Sequence, residues 1–226
     1  MPKLDDRLKA VAVQIRSSVH ADIGSDHGHL IKALLTAGRI QRGIAIEVNQ
    51  RPFENSRSTL TGLNADVRLA DGLAGLNPGE ADSLSICGMG GELIARILQS
   101  YPDRVPPDLV LQPNRCPEAV RRWALGSGYH LVDEQLVIGR LRYQILRFQR
   151  NHACPDPAYA SVDRDAALLF GPLLIRRWEP QFRDVLLDEY RYLNDFDRRT
   201  NESQHRLDAL ANLLQSEPPH SNGLDG

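Results

Sequence analysis

Residues 19–30, VHADIGSDHGHL, constrain this chain more than any other stretch. A short apolar-leaning run ends in Asp22 and Gly24, and a polar turn then opens into an amphipathic stretch that continues through Ala37. That is the outline of a first strand, a ligand-binding loop and a first helix, the place where an open α/β sheet seats a nucleotide-like ligand. Glycine permits the tight turn, and the free N–H groups at the helix start face the ligand. The competing reading is a surface turn whose aspartates only cap the next helix.

The charge of the loop narrows the ligand. A dinucleotide-binding loop reads G-x-G-x-x-G, but here Asp26 and His29 stand at the second and third glycine places. A carboxylate aimed at a pyrophosphate is repelled by it. S-adenosyl-L-methionine has no phosphate and carries two positive centres, a sulfonium and an ammonium. Asp22 and Asp26 on either side of Gly24 suit that ligand and argue against NAD.

The 226 residues suffice for one α/β domain and a small appendage. Basic residues number 27 and acidic ones 29, so any surface for nucleic acid has to be local. Cys87, Cys116 and Cys154 form no C-x-x-C, the histidines show no H-E-x-x-H spacing, and no apolar run reaches membrane-spanning length. The N-terminus lacks the apolar core of a signal peptide. The expectation is a cytoplasmic protein with no metal and no membrane partner, with a monomer as the working assumption.

Leu4, Leu8, Val11 and Ile15 share one face of a helix over residues 3–16, with Arg7 on another. Such a helix either packs over the ligand cleft or covers a sheet edge. Gly43–Glu47 reads as a second buried strand; Glu47, at its tip, stands where an acid grips ribose hydroxyls, a role favoured over that of a solvated carboxylate. After a polar helix over 52–60, a third strand over 67–72 ends in Asp71 and Gly72, where the acid either accepts from an adenine amino group or makes an ordinary turn. Leu84–Cys87 is a fourth strand, running into Gly88-Met89-Gly90-Gly91, whose glycines let the backbone come close to a ligand. A helix over 92–99 and a strand over 109–111 follow, the strand ending in Gln112-Pro113-Asn114. A further helix over 118–125 precedes strands near 130–137 and 142–148. The alternation predicts a doubly wound, mostly parallel sheet.

Beyond an exit loop at 151–157 the pattern is helical alone. Phe182, Leu186, Tyr190, Leu193 and Phe196 recur at helical spacing, as do Leu207, Leu210 and Leu214. The polar stretch 197–206 between them predicts a hairpin turning near Thr200-Asn201. The expected organisation is a ligand-binding domain over 1–155, a helical hairpin over 156–216 and a disordered tail over 217–226.

The blocks LDDRL (4–8), ADIGSDHGHL (21–30), the PF pair at 52–53, DG at 71–72, ICGMGGELIARIL (86–98), LQPN (111–114) and GP at 171–172 occur together. With them the chain resembles, over nearly its whole length, the bacterial tRNA (adenine-N1)-methyltransferases of the TrmK type, which modify adenine 22. The resemblance implies a class I methyltransferase fold, Rossmann-like, with a C-terminal helical, coiled-coil-like domain, S-adenosyl-L-methionine as cofactor and tRNA as substrate. The cofactor set expected here is Arg7, Asp22, Gly24, Ser25, Asp26, His27, Glu47, Val48, Asp71, Gly72, Gly88, Met89 and Gly90. His29 and Ile31 depart from the family's Tyr and Pro, and Asn49-Gln50-Arg51 replaces a different loop.

Adenine N1 carries a lone pair and no proton, so methyl transfer to it needs alignment more than a base. Asp26 and Asn114, at strand ends, are the catalytic candidates, suited to the positive charge that develops on the base. N1 lies on the pairing edge, so the adenine must be unpaired first. Seven arginines against three acids between 115 and 150 offer a local RNA path, from which Arg115, Arg121, Arg122, Arg140 and Arg142 are singled out. Ordinary solvated faces explain the same arginines. Two other functions fit the fold: a methyltransferase with another substrate, and a non-catalytic RNA-binding protein.

Overall fold

Four apolar runs, each too short for a helix and bounded by glycine, polar or proline residues, form the centre of a seven-stranded sheet. The computed structural model describes residues 4–25, 27–139, 141–152 and 155–216, and the chain divides into two units, residues 1–156 and 157–226. The first unit runs α1 (Asp6–Gln14), β1 (Val19–Ile23), α2 (His29–Thr36), β2 (Arg42–Glu47), α3 (Gln50–Leu60), β3 (Ala65–Leu69) and β4 (Ser83–Gly90). It continues with α4 (Gly91–Ser100), β5 (Asp108–Arg115), α5 (Pro117–Gly126), β6 (Tyr129–Ile138) and β7 (Arg142–Arg150).

The strand order is β3-β2-β1-β4-β5-β7-β6. The first five are parallel, while β7 runs antiparallel to both β5 and β6. Central strands are buried on both faces, as a sheet covered by helices on each side requires. The order reverses between β1 and β4, and a crevice opens there beyond the carboxyl ends of the strands. On one face Val11 and Ile15 of the α1 segment pack with Leu30, Ile31 and Leu34 of α2. Asp5 caps α1, accepting from the Leu8 N–H at 2.7 Å.

Near the crevice β4 is irregular: its register against β5 shifts between Cys87 and Met89 and again between Met89 and Gly90. Bulges of this kind re-aim a strand end. Gly91 follows at the start of α4, and a Cβ there would lie 2.0 Å from the backbone oxygen of Cys116. The glycine lets α4 abut the turn that enters α5.

In the second unit α6 (Arg164–Phe170), α7 (Pro172–Arg177), α8 (Pro180–Asn194) and α9 (Asn201–Gln215) follow a short 3-10 turn. Helices α8 and α9 are linked by the Arg206–Glu189 ion pair, and α9 is capped at Thr200, which accepts from the Ser203 N–H at 3.1 Å. Two details differ from the sequence reading. Leu213, not Leu214, completes the buried stripe of α9, and Phe196 lies beyond the end of α8, exposed, with its ring against Tyr192. The short helices α6 and α7 also precede the hairpin; too short to show a clear helical period, they blend into one apolar stretch in the sequence. Residues 217–226 lie outside the described part.

Candidate active site

At the switch point between β1 and β4 is a cavity of about 560 Å³, lined by residues that include Arg7, Asp22, Ser25, Met89, Asn114 and Tyr143. That volume is within the range of small-molecule sites, about 300–1,000 Å³. Its floor is the turn after β1. Gly24 takes φ +70°, a left-handed conformation that favours glycine, and a Cβ there would come 2.3 Å from the tip of Met89.

Asp22 is only 3% exposed. Ser85 on β4 donates to its Oδ1 at 2.5 Å. Burial pushes the Asp22 carboxyl up to about 6, against the Ser85 hydrogen bond and the positive charge of Arg7, which pull it down. Burial likewise raises the neighbouring Cys87 thiol, and the charge of Asp22 adds to the shift, so it lines the cavity as a protonated group.

Arg7 reaches the cavity from α1, which identifies that helix as cover for the cleft and not only for a sheet edge. Its guanidinium donates to Gln112 Oε1 at 2.6 Å and lies 5.7 Å from the ring centroid of Tyr143. Gln112, fully buried on β5, accepts from the Gly88 N–H at 3.1 Å with the same oxygen and donates to Asn114 Oδ1 at 3.1 Å. Asn114 in turn donates to the Gly88 carbonyl at 2.7 Å. The bulged Gly88 peptide is therefore held at both its polar groups by side chains of the next strand.

Of the residues expected from the sequence, Arg7, Asp22, Gly24, Ser25, His27, Gly88, Met89 and Asn114 line this cavity together. Glu47, Val48, Asp71, Gly72 and Gly90 are not in its lining. Glu47 is buried at the tip of β2, where the Ser56 hydroxyl donates to it at 3.4 Å; Val48 and Asp71 are exposed beyond β2 and β3. Asp26 and Arg140 lie outside the described residues. His29 lines the cavity with its ring stacked near that of His27, whereas Ile31 is core.

Arg121 requires a correction. It is fully buried, paired with Glu134 at 2.7 Å and donating to Gln144, so it has no surface on which to meet a phosphate. Its neighbour Arg122, one residue round the helix, is exposed, as are Arg115 and Arg142. Arg147, half-buried, pairs with Asp108, and the exposed Arg150 donates to the Tyr129 hydroxyl at 2.8 Å, so part of the positive charge in this stretch is already engaged within the fold. Sequence reasoning left Gln112, Tyr143, Ser85 and His20 without roles. Gln112 carries the one legible signal, an amide inside an otherwise apolar strand.

Strand order, the reversed last hairpin and an acid-lined, glycine-floored crevice define the class: a Rossmann-like methyltransferase fold. Within that class the model of the TrmK family, described as tRNA (adenine(22)-N(1))-methyltransferase, matches residues 20–216. The tRNA (adenine(22)-N(1))-methyltransferase of Bacillus subtilis (strain 168) is 32% identical over 228 residues, covering 94% of each chain. The crystal structure of the B. subtilis M1A22 tRNA methyltransferase TrmK superposes with a TM-score of 0.83 at 30% identity, over 95% of this chain and 97% of that one. A Streptococcus pneumoniae chain solved in complex with S-adenosyl-L-methionine gives a TM-score of 0.83 at 28% identity, over 94% of this chain and 100% of that one. The chain belongs to the TrmK family. Among the described residues no helix is long and apolar enough to cross a membrane, and no group of three or more His, Cys, Asp or Glu is placed to hold a metal ion.

Proposed function

We infer that this chain transfers the methyl group of S-adenosyl-L-methionine to N1 of adenine 22 in tRNA. The observation that carries the reading is the acid-lined cavity at the β1–β4 switch point in a chain of this family. The cavity fits the cofactor in chemistry as well as size. Asp22 offers a buried carboxylate with no guanidinium on it, an acceptor for an ammonium, and the Gly24 turn leaves room for backbone approach. Glu47 is assigned to the ribose hydroxyls from the neighbouring strand tip, with Ser56 steadying its carboxylate.

The cofactor supplies an electrophilic methyl group; the protein supplies position. Asn114 uses one amide hydrogen on Gly88 and one carbonyl lone pair on Gln112, leaving one donor and one acceptor site for the adenine edge. Gln112, held by Arg7, fixes which way that amide faces. Tyr143 lines the same cavity, with the Arg7 guanidinium over its ring. Asp26, between the cavity residues Ser25 and His27 in sequence, is assigned to the charge that develops on the base. The exposed arginines Arg115, Arg122 and Arg142 and the helical unit beyond Pro157 are assigned to the tRNA, and the cytoplasm is where that substrate is met.

The test is mass spectrometry of nucleosides from tRNA incubated with enzyme and isotopically labelled cofactor. One labelled 1-methyladenosine, lost when position 22 is changed, is the expected result. A label on another nucleoside, or none, overturns it. Single-turnover methylation at saturating cofactor tests Asp26: Asp26→Asn should be slow there, and parental speed removes it from the chemistry.

A further inference from the structure

Behind the cavity, between β1 and β4, is a file of polar side chains that the reaction as described does not use. His20 and Asp22 project to the same side of β1, and they pair in register with Ser83 and Ser85 of β4. All four are buried, His20 and Ser85 completely. His20 Nδ1 lies 2.7 Å from Ser83 Oγ, and its Nε2 lies 2.9 Å from Ser85 Oγ. Ser85 Oγ is 2.5 Å from Asp22 Oδ1, and at the other end Ser17 Oγ is 2.7 Å from Ser83 Oγ.

The direction of every hydrogen bond in this file follows from elementary counting. An ionised carboxylate only accepts, so Ser85 must give its single proton to Asp22. Having spent it, Ser85 accepts from His20, which places the imidazole proton on Nε2. Burial holds the His20 imidazole down at about 3, so the ring is neutral and has only that proton. Its bare Nδ1 accepts from Ser83, and Ser83 accepts from the half-buried Ser17. All four donors thus point toward Asp22.

We propose that His20 is a positioning residue of the cofactor site, whose Nε2–H tautomer locks Ser85 as a donor to Asp22 and so keeps that carboxylate ionised and aimed for the cofactor's ammonium group. Neutral dipoles do this without cancelling the charge, as a buried lysine or arginine in the same place would. Protonation of Asp22 removes the reason for the order: a carboxyl group that carries its proton toward Ser85 donates to it, and the file in that arrangement is reversed, with the imidazole proton on Nδ1. Among the described residues, the other charged or titratable groups that line the cavity with Asp22 are Asp5 and Arg7 from the α1 segment, His27 and His29 around the start of α2, Cys87 on β4 and Tyr143 on β7. None of them hydrogen-bonds His20 among the described contacts.

The inference rests on the assignment of Asp22 to the cofactor, and the experiment separates the two. In the full-length protein with S-adenosyl-L-methionine bound, nitrogen-15 NMR should find His20 protonated at Nε2 and bare at Nδ1, switching to the Nδ1–H form as Asp22 is protonated in acid. Calorimetry should find S-adenosyl-L-methionine bound about three- to tenfold more weakly by His20→Leu, the loss of one polarised link to a charged acceptor. The pH below which binding fails should also move upward in that variant, a shift that loss of packing alone does not produce. Ser85→Ala gives the same two readouts if His20→Leu does not fold. An Nδ1–H or doubly protonated ring in the complex at pH 8, where Asp22 is ionised, overturns the proposal, as does wild-type affinity with an unmoved inflection in both variants while Asp22→Asn binds poorly. Wild-type affinity in Asp22→Asn overturns the assignment of Asp22 itself.

Discussion

Two fully buried polar clusters flank the parallel core of the first unit, and they are built on opposite plans. On the β6–β7 side Arg121 of α5 meets Glu134 at 2.7 Å, both side chains without solvent exposure, and Gln144 takes a further guanidinium hydrogen. On the β1–β4 side Asp22 is almost as deeply buried, but Ser85 and His20 beside it are neutral, and Arg7 is engaged with Gln112. The first cluster cancels its charge internally and is closed. The second leaves its carboxyl raised to about 6 by burial, which the Ser85 hydrogen bond and the charge of Arg7 only partly offset. A buried charge with a partner reports on the fold, and a buried charge without one, at the wall of a cavity, reports on a ligand.

Substitutions sharpen the contrast, and the largest effect belongs to the closed cluster. Arg121→Ala should cost about 3–5 kcal/mol of stability by stranding Glu134 in the interior, measured by chemical denaturation. Replacing both partners with apolar residues of similar volume should recover most of that loss; if the single variant is as stable as the parent, the ion pair is not closed in solution. Asp22→Asn should do the opposite. An acid whose carboxyl is raised from 3.8 to about 6 by folding costs nothing below pH 4 and its full penalty above pH 6. The variant should therefore gain on the order of 1–3 kcal/mol at pH 8, with the gain gone by pH 4, while losing cofactor affinity. A variant less stable at pH 8 breaks the comparison.

Glu47→Ala is the intermediate case, a buried acid that accepts from the Ser56 hydroxyl at 3.4 Å. It should weaken S-adenosyl-L-methionine binding by about 1–2 kcal/mol in calorimetry with the fold intact. The smallest effect is at the surface. Arg122→Gln should leave cofactor affinity and stability alone and lower the slope of log tRNA affinity against log salt by about one. An unchanged slope places the RNA path elsewhere.

These contrasts show what was legible in the residues alone. The loop over 19–30 announced its ligand class because glycine and acid spacing is local, and the strand runs stood out because each is apolar and bounded. Family motifs carried the substrate. Arg121 and Arg122 are adjacent and identical in chemistry, and only the 100° turn between them on α5 decides that one is core and the other surface. Glu134, which neutralises Arg121, lies on another element, so no local window shows the pair. His20 and Ser85 illustrate the same limit: 65 positions apart in sequence, they become neighbours only through the β1–β4 pairing. Their residue types carry no signal until that register is known.

The strand order has a consequence for how the chain is made. β5 pairs with β7, not with β6, so the strand completed first is not the one that covers the β5 edge. As the chain leaves the ribosome, Leu109-Val110-Leu111 keeps an open row of backbone donors and acceptors until Leu146–Phe148 has emerged and turned back to meet it. Cotranslational folding of the first unit is therefore gated by its last strand: a nascent chain halted before residue 142 has the cofactor loop and β1–β5 in hand but an apolar edge exposed to any other strand nearby.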